Sequence, residues 1–166
     1  YKHAMETGIN PIIGCELYTN DLYHDNNEMF LDLKRGSSEL TVVGDAGEHL
    51  DKTAAANNHT LVYAKNYDGV KNLLNISNES FDHYYRKPLS SMEKVYNGLD
   101  ENNIITTGCL QSKWNQYILS GREKEALELI KKYRDKLGDD FYLEIQLNNL
   151  DIQMTCNNFY HKVYEK

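Results

Sequence analysis

Four short apolar runs, at residues 11–18, 59–64, 103–107 and 141–146, are separated by stretches whose apolar residues recur at helical spacing. Strands alternating with helices restrict the chain to the α/β class, because the helices must cover the sheet that the strands build. The alternation predicts a parallel sheet with crossover helices, open or closed into a barrel. Such folds place their chemistry at the carboxyl ends of the strands.

Local signals place the helices between these runs. Residues 1–7 read as the end of a helix stopped by Gly8, with Pro11 soon after. Asn66 to Gly69 open a helix carrying Val70, Leu73, Leu74 and Ile76. Ser90 or Ser91 can cap a short helix with Met92 and Val95 that ends near Gly98. A short helix over 114–119 precedes a longer one over 122–137, where Ala126, Leu127, Leu129, Ile130 and Tyr133 share a face. Asp151 starts a terminal helix. Residues 19–57 are polar, with apolar islands only at Met29-Phe30-Leu31 and Leu40-Thr41-Val42-Val43, and read as a long excursion with a small hairpin, outside the core.

At 166 residues the chain has the length of one domain. It starts at Tyr1 without Met and stops inside a helical pattern, which reads as an excised fragment. A formal net charge of −7 advertises no basic stripe for nucleic acid and speaks against avid DNA binding by this piece alone, so any DNA contact would be local or metal-mediated. Three cysteines, an odd number in an ordinary composition, argue against a disulfide scaffold and for a reduced, cytoplasmic protein. The Asn-x-Ser/Thr triplets at Asn58, Asn75 and Asn78 read as chance in an Asn-rich chain. No membrane partner is expected, since no apolar run approaches a membrane span and no signal peptide opens the chain.

The strand-end rule selects Glu16, near the end of the first run, and Cys109, just after the third. Carboxylate, imidazole and thiol together are the donors that bind zinc and similar transition metals. Spacing does not single them out, because there is no Cys-x-x-Cys or His-x-x-x-His. Taken alone, Cys109 reads first as a small buried residue, and Glu16 equally as a ligand or a solvated strand-end carboxylate. His59 opens its strand, which in a parallel sheet is the wrong end. Cys15 points away from Glu16 by alternation and reads as core. Cys156, His3, His24, His49, His83 and His161 read as solvated or packing residues. Trp114 and the tyrosines could stack on bases, but core packing is the expected use, since no basic cluster is interleaved with them. Lys131, Lys132 and Arg134 read as a solvated helix face.

Five blocks in order change this weighing. They are Gly8-Ile9-Asn10-Pro11-Ile12-Ile13-Gly14-Cys15-Glu16-Leu17-Tyr18, His59-Thr60-Leu61-Val62-Tyr63-Ala64 with Asn66-Tyr67-Asp68-Gly69, Tyr85-Arg86-Lys87-Pro88, Ile104-Ile105-Thr106-Thr107-Gly108-Cys109-Leu110, and Phe141-Tyr142-Leu143-Glu144-Ile145-Gln146. Their succession resembles the polymerase and histidinol phosphatase (PHP) domain of the bacterial or phage replicative DNA polymerase III alpha subunit. The resemblance implies a distorted (β/α)7 barrel, of which residues 1–166 would be a single partial domain with about four strands and a long variable excursion at 19–57. It implies divalent metals (zinc, manganese or magnesium) held in part by Glu16, His59 and Cys109, with the catalytic residues left open.

The resemblance also implies metal-assisted phosphoester hydrolysis of the 3′–5′ exonuclease kind within a DNA-synthesising parent protein. DNA, a sliding clamp and a proofreading subunit would then be its partners. The family's opening His-x-His, its Thr-Asp-His and its closing Asn-Asp-x-His blocks have no counterpart here, so the site is expected to be incomplete and the isolated piece inactive. After the fourth strand, Leu147-Asn148-Asn149-Leu150 stands where many relatives read Asn-His-Gly-Leu. Two alternatives stay open: an inactive scaffold that stabilises a polymerase or docks a proofreading subunit, and a stand-alone PHP-type phosphoesterase.

Overall fold

A computed structural model describes residues 1–20, 57–82 and 87–165. The expected hairpin, with His24, His49 and His83, lies outside the described residues. Helix α1 (Lys2–Glu6) ends before Gly8, whose φ of 76° turns the chain toward strand β1 (Ile13–Thr19). Strand β2 (Asn58–Ala64) leads into α2 (Tyr67–Phe81), whose first turn is capped by the Asn66 side chain accepting from the Gly69 N–H. Ser91, the second of the two expected serines, caps α3 (Met92–Gly98). Strand β3 (Asn103–Thr106) is followed by α4 (Lys113–Leu119), capped by Ser112, and α5 (Glu123–Leu137). A 3-10 turn (Gly138–Asp140) delivers β4 (Phe141–Tyr142), and α6 (Asp151–Tyr164) closes the described chain.

The strands form one sheet in the order β1-β2-β3-β4. It is mixed, which corrects the expected parallel sheet: β2 runs antiparallel to both β1 and β3, and only β3 and β4 are parallel. The parallel rule holds where one helix returns the chain along the sheet. Here two helices lie between β2 and β3 and two between β3 and β4, yet the first pair is antiparallel and the second parallel, and residues 20–57 separate β1 from β2, so alternation alone does not set the direction. Strand β4 is also shorter than the expected 141–146. Its ladder continues through the Thr107 N–H to the Tyr142 carbonyl, but the next donor, the Glu144 N–H, goes to the Thr107 hydroxyl. Gly108, at φ 63°, then turns β3 away.

The helices cover one face of the sheet. Leu17, Val62, Ile105 and Phe141 point into that layer and join Leu73, Met92, Val95, Trp114, Ile130 and Tyr133 in the core. Trp114 and Tyr133 are fully enclosed, with ring centroids 5.3 Å apart in an edge-to-face arrangement. Rings of this size each bury about 150–250 Å², worth roughly 4–6 kcal/mol apiece at about 25 cal/mol per Å². Tyr133 also donates to the Met92 carbonyl, which ties α5 to α3. Lys131, Lys132 and Arg134 stay exposed, as expected. The other face of the sheet carries Glu16, Tyr18, His59, Leu61, Tyr63, Ile104, Thr106 and Tyr142, and none of them is fully buried.

Candidate metal centre

Antiparallel pairing resolves the position of His59. Because β2 enters where β1 leaves, His59 stands directly opposite Tyr18, with Leu61 opposite Glu16. Side chains two apart on a strand share a face, so Glu16, Tyr18 and His59 all project from the side opposite the helix layer. Strand β3 is antiparallel to β2 and ends beside its start, which brings the loop after β3 to the same edge. That loop carries Cys109.

One ligand atom from each of Glu16, His59 and Cys109 lies within 4.8 Å of the other two. The Glu16 carboxylate is 2.6 Å from His59 Nδ1, and the Cys109 thiol is 3.7 Å from the same nitrogen. This geometry does not suit a nucleophilic triad, which needs the nucleophile on one ring nitrogen and the carboxylate on the other. Three donors meeting at one point suit a cation. An oxygen, a nitrogen and a sulfur form a mixed set of the kind that binds zinc, and the thiol disfavours magnesium. His59 is largely enclosed at 19% side-chain exposure, whereas Glu16 is 50% exposed, so the centre opens to solvent on the carboxylate side.

The supports of the centre come from all over the chain. The Tyr18 ring stands edge-on to the imidazole at 5.0 Å between centroids. The Gln111 carbonyl accepts both the His59 N–H and the Asn58 carboxamide, which ties the Cys109 loop to the start of β2. Asn115, fully buried on α4, donates to the Gly108 carbonyl at 3.3 Å and the Cys109 carbonyl at 2.9 Å, while Tyr160 of α6 donates to its oxygen at 2.6 Å. Gln116 holds the Leu110 carbonyl from the same helix. At the neck of the 19–57 excursion, the Asn20 carboxamide donates to Asn57. Further along this edge Glu144 accepts from the Thr106 hydroxyl and the Gln146 amide.

Sequence reasoning did not find Tyr18, Gln111, Asn115 or Tyr160. Alternation along β1 could have found Tyr18. The other three act through contacts made only when α4, α6 and β2 pack. Of the remaining thiols, Cys15 is half-buried against the core, and burial, with the Glu16 charge second, pushes it above the ordinary thiol range. Cys156 is fully buried, and burial pushes its thiol up to about 11. His3 and His161 are exposed.

The sequence profile of the PHP domain matches residues 1–148. The chain belongs to the PHP domain family. Strands β1 to β4 and the three converging side chains all fall within the matched residues. Among curated proteins, this PHP chain is 34% identical over 161 residues to the DNA polymerase III subunit alpha of Aquifex aeolicus, covering 95% of this chain and 12% of the relative. Identity to the protein of that name in Saccharopolyspora erythraea is 32% over 158 residues, covering 92% and 13%. The Borreliella burgdorferi protein of the same name is 30% identical over 161 residues, covering 95% and 12%. The chain thus spans about an eighth of the length of these relatives. Among the described residues, no helix is long and apolar enough to cross a membrane.

Proposed function

We propose that residues 1–166 form a single partial PHP domain of a replicative DNA polymerase III alpha subunit, with 19–57 as a variable excursion. In this reading Glu16, His59 and Cys109 ligate a divalent metal for phosphoester hydrolysis of the 3′–5′ exonuclease kind. The observation that carries it is the convergence of an oxygen, a nitrogen and a sulfur donor within 4.8 Å at one edge of the sheet. Zinc suits that donor set better than manganese or magnesium. The sheet face opposite the helix layer, with Leu61, Tyr63 and Ile104 half-buried on it, then becomes the inner wall of a (β/α)7 barrel. The relatives' names and lengths favour a polymerase chain over a stand-alone phosphoesterase. They also favour a cytoplasmic setting with DNA, a sliding clamp and a proofreading subunit as partners.

Bound at this centre, a divalent ion supplies Lewis acidity at a phosphoryl oxygen and acidifies water. The chain does the rest. To act as ligands, His59 must present a ring-nitrogen lone pair and Cys109 its thiolate. The edge-on Tyr18 ring fixes the plane of His59, and the Asn115 clamp fixes the height of Cys109. The exposed side of Glu16 leaves room for substrate and water. One observation favours the alternative of an inactive scaffold: the 2.6 Å contact already gives Glu16 and His59 a partner without an ion.

Elemental analysis of the native polypeptide, with a phosphodiester hydrolysis assay beside it, separates the two. E16A, H59A and C109A are each expected to lower bound metal, and the triple variant to lose the ion that these three side chains hold. Unchanged metal in the triple variant sinks the ligand assignment. Stoichiometric metal without hydrolysis of a phosphodiester leaves the scaffold reading standing.

A further inference from the structure

Beside the centre, Lys87 reaches over the Tyr18 ring. Its ammonium lies 3.8 Å from the centroid of the Tyr18 ring, the same ring that stands 5.0 Å from His59. The ammonium therefore sits no farther from the imidazole than those two distances combined. A cation over an aromatic face is held in place while its remaining N–H donors stay free.

The backbone restrains it as well. Pro88 confines Lys87 to an extended conformation. The chain just beyond is buried and tied to β1: the Ser90 N–H donates to the Tyr18 carbonyl, the Asn20 N–H donates to the Ser90 carbonyl, and Thr19 and Ser90 form a parallel bridge. The Leu89 N–H donates in addition to the Ser80 carbonyl at the end of α2.

Among the described residues no carboxylate pairs with Lys87. Among the described residues Lys65, Lys71, Arg122 and Arg134 pair with Asp140, Asp68, Glu125 and Asp139. Lys87 meets only the Tyr18 ring among them. In a chain of net charge −7, an anionic substrate is repelled at long range, so a local cation at the site mouth has a large effect on its capture.

We propose that Lys87, positioned by Tyr18, binds the phosphate group of the substrate handled by the Glu16, His59 and Cys109 centre. The proposal rests on the phosphoesterase reading of that centre and adds a residue that binds the phosphate directly. Lysine suits the task as a compact point charge.

The test is calorimetric titration of the metal-loaded native polypeptide with inorganic phosphate at low salt, with metal content measured on every variant. K87M is expected to weaken phosphate binding about tenfold with bound metal unchanged, as for loss of a charge-assisted contact. K87R recovers most of that loss, and Y18L shows part of it because the arm is no longer held. K162M, which removes an exposed lysine of α6, leaves the constant unchanged. In phosphodiester hydrolysis the K87M loss falls on KM more than on kcat.

Phosphate binding by K87M equal to that of the wild type overturns the assignment, whatever the metal content. So does K162M weakening binding as much as K87M, or no phosphate binding by the wild type. Failure of the centre itself is read separately, as metal retained by the E16A/H59A/C109A variant.

Discussion

Replacing Asn115 by Ala tests whether the Cys109 loop is held by the helix layer behind it. The carboxamide makes two bonds to loop carbonyls and accepts one from Tyr160, and both Asn115 and Tyr160 are enclosed, at 0% and 1% exposure. Truncation strands the Gly108 carbonyl and takes the acceptor from the Tyr160 O–H, which keeps only its hydrogen bond with the Thr107 side chain, whereas the partly exposed Cys109 residue can turn its carbonyl to water. At about 1–3 kcal/mol for each enclosed partner left unpaired, and with some water following the lost volume, the local cost is about 2–4 kcal/mol. Hydrogen exchange read by mass spectrometry on the native polypeptide reports it directly. Peptides covering 108–116 should exchange about 30-fold to several hundred-fold faster, because local opening free energy sets the protection.

Y160F leaves the Asn115 oxygen unpaired and should cost about 1–2 kcal/mol. The double variant should fall short of the sum by about 1 kcal/mol, since the two residues share one bond. Exchange in N115A within threefold of the wild type, or strict additivity of the pair, refutes the clamp.

Two further outcomes follow from the core. The Cys156 thiol is raised from an ordinary value of 9.0 to about 11, so between those values the unfolded chain ionises first and the folded state loses stability as pH rises. The thermal midpoint should therefore decline over that window, less steeply in C156A, and iodoacetamide at pH 9 should label Cys156 far more slowly than a free thiol; equal labelling rates contradict the burial. G69A should lower the thermal midpoint, because a Cβ there would stand 2.2 Å from the Asn102 carbonyl oxygen and 3.2 Å from Ala64 Cα. Both obstacles are backbone, so a cost of about 1–3 kcal/mol outweighs the helix propensity that alanine adds, and an unchanged midpoint contradicts the close approach.

The elements of this chain are legible residue by residue because their signals are local. Asn66, Ser91 and Ser112 cap the helices that follow them, Gly8 ends α1, and Gly138 follows the last residue of α5. Alternation along β1 puts Glu16 and Tyr18 on one face and Cys15 and Leu17 on the other. Strand ends alone also pointed to Glu16 and Cys109. His59 is the exception, since its place at the start of a strand is the wrong end for a parallel sheet, and the family resemblance alone singles it out.

What the linear chain does not carry is strand direction. Direction depends on how the chain returns between strands, through contacts among residues far apart in sequence, and no local period encodes it. The antiparallel entry of β2 brings His59 to within 2.6 Å of Glu16, and the antiparallel β3 brings Cys109 to the same edge. The clamps from Gln111, Asn115 and Tyr160 belong to the same level, because a buried carbonyl takes whatever donor the packed helices deliver. The sequence by itself thus determined the elements, the faces and the types of donor, while tertiary packing alone decided that the three donors meet.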